Sequence, residues 1–135
     1  MFTPNHRSTT EGLACIKRGE VAALVLAGGA GTRLGFPLPK GLYVIPGLLS
    51  QKPLFQLFAE RLLRLADLAW KGDGEGGEGK GEGKGEGDGA DPVREAANCI
   101  PWYIMTSRGD NHMHSVKFFE DNDYFGYPPS QVMTV

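Results

Sequence analysis

The sequence is poor in the features that would assign it to a class at once. Only two of its 135 residues are cysteines, too few for a disulfide framework and at no metal-binding spacing. Cys15 and Cys99 are therefore expected to be buried or incidental thiols. No run approaches the roughly 18 to 20 apolar residues of a membrane span, and residues 1–10 lack the apolar core of a secretory signal. These absences predict a cytoplasmic protein that does not enter membranes.

Neither sign of charge dominates the chain. Fourteen lysines and arginines face 16 aspartates and glutamates, for a net charge of -2. This balance disfavours both a strongly basic nucleic-acid-binding protein and an acidic tail protein. Outside residues 71–91 the chain has 11 basic and 9 acidic residues, so the remainder is mildly cationic and suits an anionic small molecule. The sequence gives no indication of the oligomeric state.

Residues 71–91 have a composition of their own. Ten of the 20 glycines lie between Gly72 and Gly89, where glycine alternates with charge and no apolar residue occurs. Such a segment buries too little surface to offset its ordering entropy. We expect a disordered insertion, rich in glycine and charge, in place of a short loop.

The remaining patterns alternate between strand and helix. Strands are predicted at Val21–Leu26, as a central strand buried on both faces, at Cys99–Thr106 and at Gln131–Val135. An amphipathic helix is predicted over Pro53–Trp70, and a second helix is expected to begin with Asp110 as its N-cap. This order predicts an α/β fold with a Rossmann-like, doubly wound, mostly parallel sheet. Within the second strand, Trp102 and Tyr103 point to opposite faces, which favours burial on both sides.

The stretch LAGGAGTRLGFPLPKG, residues 26–41, directly follows the first predicted strand. Consecutive glycines at the carboxyl end of a parallel strand present backbone N–H groups to a ligand, at the edge where such sheets bind ligands. Thr32, Arg33 and Lys40 add a hydroxyl and two cations, which suits a polyphosphate. Neither the dinucleotide fingerprint nor the Walker A pattern fits the spacing. From spacing alone, a glycine-rich surface turn with solvated cations stays open as an alternative.

Several motifs in order resemble a known family. The signature G-G-x-G-T-R followed by P-K is similar to that of sugar nucleotidyltransferases, and further stretches resemble eukaryotic UDP-N-acetylglucosamine pyrophosphorylases. These stretches are PKGLY at 39–43, SQKPLFQ at 50–56, AER at 59–61, IPWYIMTS at 100–107 and YFG at 124–126. Where the family tends to carry Ser-Arg-Lys, this chain has Ser50-Gln51-Lys52.

The resemblance implies a uridylyltransferase that forms UDP-N-acetylglucosamine and pyrophosphate from UTP and N-acetylglucosamine 1-phosphate, with Mg²⁺. It implies that Leu26, Ala27, Gly28 and Gly29 hold the nucleotide through their backbone, that Gly31 and Thr32 shape the triphosphate turn, and that Arg33 and Lys40 are catalytic cations. Residues 1–20 would be a scaffold segment and 21–135 part of the catalytic domain. The family's magnesium ligands would lie outside this chain, so we expect the 135 residues alone to be inactive.

Other assignments stay open. The sugar 1-phosphate could be a different one, and the chain could be a non-catalytic nucleotide-binding remnant. His112 and His114 stand at H-x-H spacing, but such positions on a helix face different directions. We therefore expect no metal ligands in this chain.

Overall fold

The computed structural model describes residues 6–71 and 96–135, so nearly all of the predicted insertion at 71–91 lies outside the described residues. Within these residues, three helices and three strands follow one another: α1 (His6–Lys17), β1 (Ala23–Leu26), α2 (Leu54–Lys71), β2 (Trp102–Met105), α3 (Asp110–Asp121) and β3 (Val132–Thr134). Short 3-10 turns lie at Thr32–Leu34, Lys40–Leu42, Ala97–Cys99, Asp123–Gly126 and Pro129–Gln131. Among the described helices, none is long and apolar enough to cross a bilayer. Both cysteines are free, as predicted.

The strands form one parallel sheet in the order β1-β2-β3. Ala23 of β1 lies opposite Trp102 of β2, which in turn lies opposite Val132 of β3. With helices between successive strands, this arrangement confirms the predicted α/β fold with a parallel sheet.

The predicted burial of β1 on both faces is wrong for the described residues. Leu24 and Leu26 are 61% and 76% exposed, whereas Ala23 and Val25 pack against the core. β1 also lies at one edge of the described sheet rather than at its centre. A continuous apolar run is compatible with one covered face or with two, so the run alone could not decide between them.

β2 shows the same one-sided burial. Trp102 and Ile104 are fully buried, while Tyr103 and Met105 are 39% and 46% exposed. The prediction of burial on both sides of this strand is therefore also wrong here. The buried face is covered by α2 and α3, because Phe55 from α2 and Phe119 from α3 belong to the same core cluster as the two buried residues of β2.

An aromatic cluster fills this core. Trp102 lies edge-on to Phe119 at 5.3 Å and to Tyr127 at 5.8 Å, and Phe55 lies 4.9 Å from Phe119 between ring centroids. The hydroxyl of Tyr127 donates a hydrogen bond to the carbonyl of Ile100, just before β2. The cluster thus joins α2, α3 and the middle strand.

The predicted N-cap of α3 is off by one residue. The cap is Gly109, at φ 85° and ψ -141°, and Asp110 is the first residue of the helix. A non-glycine residue is strained in that conformation, so the turn before the helix takes the glycine. Asp110 still lies in the first turn, where its charge favours the helix dipole.

The chain reverses its handedness after α3. Asp123, Tyr124 and Phe125 have φ values of 45°, 51° and 53°, and Gly126 follows at 81°. Tyr124 and Phe125 both pack against Phe119. This left-handed turn brings Tyr127 back into the core.

Candidate functional site

The glycine turn begins where β1 leaves the sheet. The N–H of Ala27 donates to the carbonyl of Met105 at 2.7 Å, so Ala27 still pairs with β2 and is buried. Gly28 and Gly29 follow and are exposed. Their N–H groups donate to no backbone carbonyl of the described residues. The turn therefore offers two backbone donors at the carboxyl end of β1, and their role in binding a nucleotide stays a prediction.

The turn continues into a loop whose two ends are joined by backbone hydrogen bonds. Ala30 pairs antiparallel with Pro39, the N–H of Gly31 donates to Leu38 at 2.9 Å, and that of Lys40 donates to Gly29 at 3.2 Å. A Cβ added at Gly31 would lie 2.9 Å from the carbonyl oxygen of Phe36, so a larger residue would force the loop open. Gly31 is thus required by close packing at the base of the loop.

The loop places Lys40 over Gly29. The Nζ and Cε atoms of Lys40 lie 3.5 and 3.6 Å from the position that a Cβ of Gly29 would occupy. The lysine side chain therefore lies along the glycine backbone, with its ammonium above the turn. No ion pair engages Lys40 among the described residues, so its charge is available to an anion.

Thr32 and Arg33 lie further out. Both are exposed on the 3-10 turn at the tip of the loop. In the part of the chain that the structure describes, Arg33 has no ion-pair partner. The structure thus brings Lys40 to the glycines but leaves Arg33 at the rim, and the catalytic roles of both residues stay predictions.

A second group of polar residues lies at the carboxyl end of β2. A cleft of about 290 Å³ is lined by Thr106, Ser107, Arg108, Gly109, His112 and Val135. It adjoins the glycine turn, because a Cβ added at Gly28 would lie 3.4 Å from the backbone nitrogen of Ser107. The sequence motifs did not point to this cleft. Its signal was position, since these residues follow β2 as the glycines follow β1.

The orientation of His112 in this cleft is fixed by Thr106. The hydroxyl of Thr106 lies 2.8 Å from Nδ1 of His112 and 3.2 Å from the oxygen of Val135. The hydroxyl has one proton, so it either donates to Val135 and accepts from a protonated Nδ1, or donates to an unprotonated Nδ1. The tautomer of His112 decides which of the two hydrogen bonds forms.

The described residues offer no metal centre. Within 6–71 and 96–135, no three His, Cys, Asp or Glu side chains come together in a way that could hold a metal ion. His112 bonds to Thr106 rather than pairing with His114.

Comparison with models of known protein families finds no match. Individual proteins do match. The chain is 40% identical over 121 residues to the UDP-N-acetylglucosamine pyrophosphorylase of Saccharomyces cerevisiae, covering 90% of this chain and 20% of the yeast protein. The chain is homologous to UDP-N-acetylglucosamine pyrophosphorylases. This homology confirms the resemblance found in the sequence motifs.

Two further comparisons agree with this homology. UDP-N-acetylhexosamine pyrophosphorylase-like protein 1 of Mus musculus is 40% identical over 124 residues, which cover 91% of this chain and 20% of that protein. The crystal structure of the uridine diphosphate N-acetylglucosamine pyrophosphorylase from Trypanosoma brucei in complex with inhibitor matches with a TM-score of 0.73. It is 33% identical, and the match covers 95% of this chain and 21% of that one. The chain thus spans about a fifth of the pyrophosphorylases that it matches, and it shares their fold over that part.

Proposed function

We propose that this chain is the nucleotide-binding part of a UDP-N-acetylglucosamine pyrophosphorylase, which forms UDP-N-acetylglucosamine and pyrophosphate from UTP and N-acetylglucosamine 1-phosphate. The observation that carries the proposal is Lys40 lying over Gly29, beside two free backbone donors at the end of β1. Backbone N–H groups and a lysine point charge are the groups that bind polyphosphates at such turns. The homology supplies the reaction to which this geometry is suited.

The proposed reaction needs alignment and charge neutralisation. A phosphate oxygen of the sugar phosphate attacks the α-phosphorus of UTP, and the bond to the β-phosphate breaks as pyrophosphate leaves with the electron pair. Gly28 and Gly29 would donate to phosphate oxygens, and Lys40 would neutralise charge on them without moving far. Arg33 would approach from the tip of the loop, and the Thr32 hydroxyl beside it would add a donor.

We propose narrower roles for Leu26, Ala27 and Gly31 than the resemblance implies. The N–H of Ala27 is already used by Met105, so a nucleotide would contact its carbonyl oxygen. Leu26 places its side chain on the exposed face of the sheet. Gly31 would act by keeping the base of the loop compact.

Magnesium remains part of the proposal without a site here. Since the described residues form no cluster that fits the ion, we propose that residues outside this chain bind it, and we derive no step from it. We likewise propose that the protein acts in the cytoplasm.

A second candidate is transfer to another sugar 1-phosphate. The name of the mouse relative refers to N-acetylhexosamine rather than to N-acetylglucosamine alone. The same nucleotide turn would serve either sugar. Turnover with N-acetylglucosamine 1-phosphate and with N-acetylgalactosamine 1-phosphate, measured side by side, separates the two candidates.

The proposal is tested by removing each cation. In the 135-residue chain, Lys40→Ala is expected to weaken UTP binding about tenfold or more, since a hydrogen bond to a charged group contributes about 1.5 to 3 kcal/mol. In a chimaera carrying these residues in place of the matching fifth of the yeast enzyme, Arg33→Ala and Lys40→Ala should each lower turnover about 100-fold. Lys117→Ala, on the exposed side of α3, is the matched control. Unchanged turnover in both test variants would refute the proposed roles.

A further inference from the structure

Gly41, the residue after Lys40, is seated on the ring of a core phenylalanine. A Cβ added at Gly41 would lie 2.0, 2.1 and 2.4 Å from the Cζ, Cε2 and Cε1 atoms of Phe55. In real proteins a Cβ atom essentially never comes within 3.0 Å of a heavy atom outside its own residue and its two chain neighbours. No side chain fits at position 41 unless the backbone or the ring moves.

The ring cannot easily yield. Phe55 is fully buried in the first turn of α2 and lies against Phe119 of α3. Protein cores are packed at crystal-like density and transmit such displacements to their neighbours. An added methyl group would therefore push the backbone at position 41 outward, by on the order of 1 Å.

The backbone around Lys40 is fixed on two sides. On one side, the N–H of Lys40 donates to the carbonyl of Gly29 in the glycine turn. On the other, the N–H of Leu54, at the start of α2, donates to the carbonyl of Tyr43 at 3.1 Å. Gly41 lies between these anchors, so its contact with Phe55 sets how far the turn at Lys40–Leu42 stands above the core.

We propose that Phe55, acting through Gly41, is a positioning residue that sets where the ammonium of Lys40 lies over the glycine turn. This inference rests on the proposed function of Lys40 as a phosphate-binding cation. The ammonium is a point charge on a flexible four-carbon stem, so its reach depends on where the backbone holds its Cα. Displacements of about 1 Å in such groups are costly to alignment with substrate.

The first test measures UTP affinity of the 135-residue chain by NMR titration. Gly41→Ala is expected to weaken UTP binding about as much as Lys40→Ala does, about tenfold. In the Lys40→Ala background, Gly41→Ala should add no further loss, because a residue that acts through Lys40 has nothing left to position. Additive losses would overturn the inference, as would unchanged affinity in a folded Gly41→Ala chain.

A matched control and a rescue separate positioning from general damage. Gly12→Ala makes the same change in α1, where an added Cβ meets nothing within 4 Å, and should leave UTP affinity unchanged. Combining Gly41→Ala with Phe55→Leu makes room for the methyl group and should restore most of the affinity. Failure of this rescue would count against the inference.

Two results keep the inference distinct from the proposed function. If Lys40→Ala leaves UTP affinity unchanged, the proposed role of Lys40 fails first. If Lys40→Ala weakens binding but Gly41→Ala does not, only the positioning inference fails. Should Gly41→Ala not fold, Phe55→Leu alone takes its place, since it removes the ring edge under Gly41, and unchanged UTP affinity in that variant would overturn the inference.

Discussion

The hydroxyl of Tyr127 links Ile100, two residues before β2, to the turn after α3. Removing this hydroxyl gives a well-defined test of the fold. Tyr127 is fully buried and donates to the carbonyl of Ile100. Burial raises the pKa of Tyr127 well above that of an exposed tyrosine, so the group stays a neutral donor across the physiological range. Tyr127→Phe keeps the ring against Trp102 and removes only this donor.

The expected loss of unfolding free energy follows from the buried carbonyl that the substitution leaves without a donor. The ring is retained, so the cavity is small and packing contributes little. The carbonyl of Ile100 lies in the core and has no other hydrogen-bond donor among the described residues. A buried group left without its partner costs about 1 to 3 kcal/mol. With a urea dependence of about 1 to 3 kcal/mol/M for a small domain, the midpoint should fall by about 1 M.

Urea unfolding followed by circular dichroism measures this change, and Tyr103→Phe is the matched control. Tyr103 lies on the open face of β2 and its hydroxyl has no hydrogen-bond partner in the described part of the chain. Its loss should change the unfolding free energy by less than about 0.5 kcal/mol. Equal midpoints for the two variants would refute the reasoning, because the buried hydrogen bond would then contribute no more than an exposed hydroxyl.

Two further predictions concern ionisable side chains. The contact of Thr106 with Nδ1 should favour one tautomer of neutral His112, which long-range ¹H–¹⁵N correlation spectra identify. Thr106→Val should abolish this preference, and an unchanged tautomer ratio in that variant would contradict the contact. The hydrogen bond from Lys71, with the charge of Arg64, lowers the pKa of Asp67. The ionised Asp67 therefore stabilises the folded state at pH values above the unfolded pKa of about 3.9, and this stabilisation is lost as pH falls through the lower folded pKa. Urea midpoints from pH 5 to pH 2 should fall less steeply for Asp67→Asn, and parallel curves would argue against this linkage.

The order of elements could be predicted because each has a strong local signal. The helix predicted at Pro53–Trp70 is found at Leu54–Lys71, since apolar residues recur there at helical spacing. The strand predicted at Val21–Leu26 is found, shorter, at Ala23–Leu26. Which face of that strand is covered could not be predicted, because coverage depends on where α2 and α3 pack and not on the strand's own residues.

Part of the candidate site could likewise be predicted from the sequence, and part could not. Consecutive glycines after the apolar run of β1 predicted a turn at the end of that strand from local chemistry alone. The position of Lys40 over Gly29 depends on loop closure, because Ala30 pairs with Pro39. This pairing brings Gly29 and Lys40 together although they are 11 positions apart in the sequence. The bond between Thr106 and His112 likewise depends on how α3 leaves β2. Contacts made by loop closure have no periodic signal in the sequence.

The left-handed turn after α3 bears on how the end of that helix is specified. L-amino acids disfavour the left-handed helical conformation by roughly 1 to 2 kcal/mol per residue, and three non-glycine residues adopt it in succession at Asp123–Phe125. The contacts of Tyr124 and Phe125 with the aromatic core help to offset that cost. An isolated peptide of residues 110–126 would keep Phe119 but lack the rest of the core, such as Phe55 and Trp102, so we expect it to lose the left-handed turn. The end of α3 is thus stabilised in part by residues of α2 and β2, which reach it only when the core assembles.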